Sequence, residues 1–138
     1  VIRVSLQEER ITREAQMHVN DEEFESAVHD ALAGLPERFL KALDNIVITV
    51  ADEPDEGQLA RGASATGELL GLYEGIPLPR RSWGYAGALP DVITIFKGAH
   101  ERVCHSREQL IRQIRRTVLH ELGHYFGFDD DYLHRHGY

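Results

Sequence analysis

At 138 residues the chain has room for one domain around one modest core. Apolar residues make up 42% and charged residues 28%, a balance that excludes wholesale disorder. Acidic residues outnumber basic ones by 23 to 15, and the resulting charge of −8 repels phosphate backbones, so nucleic acid is not an expected partner.

The longest apolar run, Ile46 to Ala51, is far too short to span a bilayer, so no membrane association is expected. The first sixteen residues scatter charge and lack an apolar h-region. Cys104 is the single cysteine, which excludes an intrachain disulfide framework and fits a reducing, cytoplasmic setting. Residues 1–16 carry little helical periodicity and are expected to be a poorly ordered N-terminal extension, leaving 17–138 as a single domain.

Asn20 or Asp21 can cap a helix whose first turn, Asp21-Glu22-Glu23, suits the positive end of the dipole. Phe24, Ala27, Val28, Ala31 and Leu32 recur at helical spacing, and Gly34 with Pro36 stops the run. A short helix over 37–43 offers Phe39, Leu40 and Leu43 as its buried set. The β-branched run Asn45 to Asp52 reads as a strand, and 52–67 reads as a surface loop. A second strand over Leu69 to Glu74 precedes a Pro- and Gly-rich loop from Pro77 to Pro90, and a third covers Val92 to Lys97. Ser106 and Gln109 match a capping box opening a helix from Arg107 to about Tyr125 or Phe126, stopped at Gly127. Three strands, two short helices and one long helix predict an α+β architecture.

On the long helix stands His120-Glu121-Leu122-Gly123-His124, an H-E-x-x-H pattern. Histidines at i and i+4 project from one side of a helix, so both imidazoles can reach one ion, while the glutamate points to a neighbouring sector. At about 100° per residue with Val118 as zero, Ile111, Ile114, Leu122 and Tyr125 fall within roughly 40°, and the two histidines at about 200° and 240°. The pair therefore lies opposite the core stripe; solvated surface histidines are the bland alternative.

Catalytic zinc takes three protein ligands and keeps one open position. Asp130 follows His124 by six residues with Gly127 between them, and a glycine at positive φ would reverse the chain and return residue 130 towards the histidines. Asp130 is the first choice of third ligand, with Asp129, Asp131, His134 and His136 as substitutes. The other histidines, 18, 29, 100 and 105, show no ligand spacing and read as structural. Cys104 reads as a small buried thiol.

HELGHYFGFDD resembles the H-E-x-x-H-x-x-G-x-x-H/D signature of metzincin-type zinc peptidases, in the variant with aspartate third. From about Met17 onward the chain is similar to the bacterial minimal zincin-like metallopeptidase family, including the stretches Gly71 to Leu78, Ala88 to Phe96 and Thr117 to Gly127. That resemblance implies a zincin-like fold: a small mixed sheet of three to four strands packed on a long active-site helix, plus N-terminal helices. It implies one zinc ion on His120, His124 and Asp130, with Glu121 as general base in peptide-bond hydrolysis. The chain departs from metzincins in having Met17 as its only methionine, so no methionine-bearing turn follows the motif. Eight residues follow Asp130 in this sequence, so the usual C-terminal subdomain is expected to be absent, with a partner or self-association completing the cleft. The glutamate-ligand branch of zincins needs a later helix, and none is predicted.

A peptide or protein substrate would add to a sheet edge, with Leu69 to Glu74 as the candidate strand. Leu72, Tyr73, Trp83 and Tyr85 are the candidate cleft residues, and Gly127, Tyr132 and His134 the candidates for a supporting shell. Tyr132, His134 and His136 are also close enough in sequence to try as a second oxyanion donor. The rival reading is a non-catalytic, zinc-stabilised binding or regulatory module, which His134 or His136 closing the coordination sphere would favour. Metal-dependent RNA cleavage fits poorly: related histidine-rich hydrolases lack the glutamate, and this chain has no basic stripe.

Overall fold

The computed structural model describes residues 17–62, 67–81 and 90–138. Helix α1 spans Asp21–Ala33, α2 Glu37–Leu43, β1 Ile46–Ala51, α3 Glu56–Arg61, β2 Gly71–Glu74, β3 Asp91–Phe96, α4 Lys97–Val103, α5 Arg107–Tyr125 and α6 Asp130–Arg135; a 3₁₀ turn covers Leu78–Arg80. The expected α+β class with a small mixed sheet holds. Residues 1–16, Trp83 and Tyr85 lie outside the described residues.

The strands form one sheet in the order β1-β3-β2, with β1 parallel and β2 antiparallel to β3. Successive side chains of a strand point to opposite faces, so each face has its own apolar set. Ile93 and Ile95 of β3 join Phe24, Ala27 and Ala31 of α1 and Ile114, Val118 and Leu122 of α5 in the main core, which places both helices on one face. Leu72, Phe96 and Ala99 form a smaller cluster on the opposite face.

The helical wheel of α5 holds for Ile114, Val118, Leu122 and Tyr125, which are buried, while Ile111 is only partly buried; His120 and His124 are half-buried away from them. Asn20 caps α1 by accepting the Glu23 N–H at 2.8 Å. Ser106 accepts the Gln109 N–H at 3.2 Å, but the Gln109 side chain accepts from His105 N–H rather than closing a box on Ser106.

Three helices contradict the sequence reading. Part of the expected 52–67 loop is α3, opened by a capping box between Asp55 and Gln58. β3 runs straight into α4 through Phe96, which supplies no side-chain cap. A helix does follow the motif: α6, capped by Asp129 accepting the Tyr132 N–H at 2.8 Å. It carries no glutamate, so it offers no ligand of that type. The buried set of α2 is also corrected, because Phe39 and Leu43 are only partly covered and Leu40 is exposed. Among the described residues, no helix is long and apolar enough to cross a membrane.

Candidate metal centre

The end of α5 is built as a Schellman turn. Phe128 N–H donates to Gly123 O and Gly127 N–H to His124 O, with Gly127 at φ +98°, a conformation that L side chains rarely adopt. This is the reversal expected of Gly127, and it leads into α6, whose first residue is Asp130. Two close approaches fix the geometry. A Cβ on Gly127 would lie 2.6 Å from Pro79 Cγ, and one on Gly123 would lie 2.4 Å from Leu133 Cδ2. Glycine between the two histidines is therefore what lets α6 seat Leu133 against α5.

That seating brings His120, His124 and Asp130 together, with one ligand atom from each within 4.8 Å of the others. His120 Nε2 donates to Asp130 Oδ1 at 3.0 Å, and His124 Nε2 lies 2.9 Å from the same oxygen. His124 Nδ1 donates to the Phe128 carbonyl at 2.9 Å, since a carbonyl can only accept. Both Nε2 atoms converge on one carboxylate oxygen. A set of two imidazole nitrogens and one carboxylate oxygen, with one imidazole oriented by a backbone carbonyl, is chemically suited to zinc. Burial acts upward on the Asp130 carboxyl, but the His120 hydrogen bond and both nearby histidines outweigh it and hold the group below its ordinary value.

Glu121 is buried behind this triad. Its Oε1 accepts the Tyr73 N–H at 2.9 Å. Burial pushes the Glu121 carboxyl up to about 8, with the Asp130 charge adding to it and the Tyr73 hydrogen bond opposing it. β2 comes this close because residue 71 is glycine: a Cβ there would meet Thr117 Cγ2 at 2.5 Å and Thr94 O at 3.2 Å.

β2 is an edge strand, as expected. Phe96 N–H donates to Leu70 O, so in the antiparallel register Leu72 and Glu74 turn their backbone groups to β3, and Gly71 and Tyr73 turn theirs outward. The cleft assignment of two side chains needs correction. Leu72 is buried in the second cluster, so its side chain offers nothing to a cleft. Tyr73 packs edge-on against Tyr125 at 5.9 Å and points its hydroxyl at Asp91, donating at 3.2 Å; only its backbone faces the edge. Burial and the Asp91 carboxylate push the Tyr73 phenol up to about 12.

Sequence reasoning missed the Asp91–Arg81 pair. Asp91 is buried and accepts from Arg81, whose Nε donates to Ile76 O at 2.9 Å. This pins the chain after β2 beside α5, where Pro79 rests on Gly127. Arg81 stands in a basic doublet that reads as solvated, and nothing in its local sequence signals a buried partner ten residues away.

Tyr132 is stacked between Phe128, at 4.3 Å, and His136, at 4.0 Å, and is not one of the three converging donors. His136 is held there by its Nδ1 donating to Tyr132 O, so it is not brought to the site. His134 is: its ring lies 5.8 Å from that of His120. Among the other histidines, His100 is wholly buried and structural as expected, donating from Nδ1 to Phe96 O and accepting at Nε2 from Thr117. Cys104 is buried too.

Comparisons with known proteins agree with this architecture. The sequence profile described as zincin-like metallopeptidase matches residues 43–138. No curated protein matches the chain. A solved structure of a conserved hypothetical protein from Thermo thermophilus superposes with a TM-score of 0.51 at 22% identity, covering 84% of this chain and 99% of that one; at this identity the likeness concerns the fold. With the profile matching well over half of the sequence and the long helix carrying His120, Glu121 and His124 in the described geometry, the chain belongs to the zincin-like metallopeptidase family.

Proposed function

We propose that the protein is a zinc peptidase in which His120, His124 and Asp130 hold one zinc ion and Glu121 is the general base. The observation that carries this reading is the convergence of the three donors within 4.8 Å beside a buried carboxylate. Zinc, when bound, supplies a Lewis acid that polarises a carbonyl and lowers the pKa of water towards neutrality.

The protein's own contribution is position and proton transfer. Tyr73 N–H fixes Oε1 of Glu121, and among the described residues no hydrogen bond engages Oε2. Oε2 is therefore the atom that takes the proton of the attacking water and returns it to the leaving amine. A general base works best with a pKa near the operating pH, and burial moves this carboxyl in that direction. The substrate is an extended peptide laid along the edge of β2 that no strand among the described residues covers. Gly71 offers it both N–H and C=O, whereas Tyr73 offers only C=O, because Glu121 already holds its N–H.

The test is zinc content by mass spectrometry with a peptide-library cleavage screen on wild type, Glu121→Gln and His124→Ala. Near-stoichiometric zinc in wild type and Glu121→Gln, its loss in His124→Ala, and cleavage by wild type alone are the expected results. Zinc without cleavage in wild type would replace this reading with that of a zinc-stabilised binding module. No zinc in any form would remove the metal site itself.

A further inference from the structure

The pattern that brings two donors to one side of α5 is repeated on α6. His120 and His124 are four residues apart on α5, and Asp130 and His134 are four apart on α6, so each pair shares one helix face. The seating of Leu133 against Gly123 turns the two faces towards each other. The His120 and His124 rings, both on the triad, are 4.9 Å apart; the His120 and His134 rings are 5.8 Å apart.

Two of the three other histidines of this region commit a ring nitrogen to a backbone carbonyl, His124 to Phe128 O and His136 to Tyr132 O, and the third, His120, bonds Asp130. Among the described residues, neither ring nitrogen of His134 makes a hydrogen bond, and the side chain is exposed. It thus stands at the mouth of the site with both nitrogens available and room to turn.

We propose that His134 is a fourth, exchangeable protein ligand to the ion held by His120, His124 and Asp130. Unlike the permanent closure of a purely structural zinc site, this closure is reversible: the imidazole caps the solvent side at rest, and a substrate carbonyl gains access by displacing His134. His120 and His124 stay in place, because they are half-buried and His124 is oriented by the backbone. This rests on the zinc site proposed above and adds to it a means of holding that site shut.

The deciding experiment uses protein labelled with ¹⁵N-histidine and loaded with ¹¹³Cd. One-bond ¹¹³Cd–¹⁵N coupling is expected from three histidines in the wild type and from two in His134→Ala. In zinc competition with a chromophoric chelator, His134→Ala is expected to bind roughly tenfold more weakly or worse, and His136→Ala like the wild type. Coupling from only two histidines in the wild type would overturn the inference while leaving the zinc site standing. Coupling from none would overturn the zinc site as well.

Discussion

The Glu121 carboxylate is tied to the Tyr73 backbone at 2.9 Å across 48 residues of sequence. It joins the helix that carries the metal donors to the strand edge on which a peptide would lie. A displacement of β2 therefore acts on the buried carboxylate as well as on the edge.

Gly71 sets that spacing. Alanine there would press its Cβ on Thr117 Cγ2, 2.5 Å away, and on the Thr94 carbonyl. Gly71→Ala is expected to cost about 1–3 kcal/mol in urea unfolding, the usual range for overpacking. It should also move the Tyr73 amide resonance, reporting a weakened bond to Glu121. An unshifted amide would show that β2 does not set this contact.

Gly123→Ala separates helix stability from site assembly. Alanine in a helix interior gains up to about 1 kcal/mol of propensity, but its Cβ would meet Leu133 at 2.4 Å and push α6 away. Zinc affinity should fall while thermal stability changes little. Adding Leu133→Ala should restore part of the affinity by relieving the contact. Unchanged zinc binding in Gly123→Ala would mean that Asp130 is not positioned through Leu133.

Asp91 accepts from both Arg81 and the Tyr73 hydroxyl. Asparagine keeps the shape, removes the charge and can satisfy fewer donors. Asp91→Asn is expected to cost about 2–3 kcal/mol by chemical denaturation, since removing one partner of a buried pair strands the other. A loss below about 0.5 kcal/mol, the level of an exposed pair, would contradict this account.

His100 governs an acid-sensitive increment of stability. Burial drives its imidazole down to about 4 from an ordinary 6.5. As pH falls below 6.5 the unfolded chain takes up the proton first, so stability fully present above that value is lost progressively towards pH 4. The difference amounts to about 3 kcal/mol. With metal removed by chelation, His100→Asn should flatten the stability profile between pH 4 and 6.5. A wild-type slope in that variant would assign the effect to other groups.

The metal-binding face was legible because its signals are local. Periodicity placed Val118 and Leu122 inward and His120 and His124 outward, and Gly127 announced the turn that returns Asp130. The strands were legible from their β-branched runs. Two of the three missed helices lack a full apolar period: α6 buries Leu133 alone, and α3 buries nothing, while α4 buries only Ala99 and His100 and has no side-chain cap. Their caps, Asp129 and Asp55, were visible but sat in acidic runs that also suit a loop. The inward turn of Leu72 and the Tyr73 side chain depends on register against β3, and the Arg81–Asp91 pair on the path of the intervening loop. Neither is written in local sequence.

The 2.6 Å that would separate a Cβ on Gly127 from Pro79 is the interlock of two segments with very different sequence spans. His120 and Asp130 are ten positions apart, whereas Tyr73 and Glu121 are forty-eight. Closing a short loop loses little chain entropy, so a peptide containing the helix end and its turn can gather the three donors before the sheet is in place. The Tyr73 bond that fixes the Glu121 carboxylate forms only with the long-range docking of β2. On the function proposed above, metal capture and catalytic competence are thus separable in folding time: a nascent or partly unfolded chain would hold an ion that it cannot yet use.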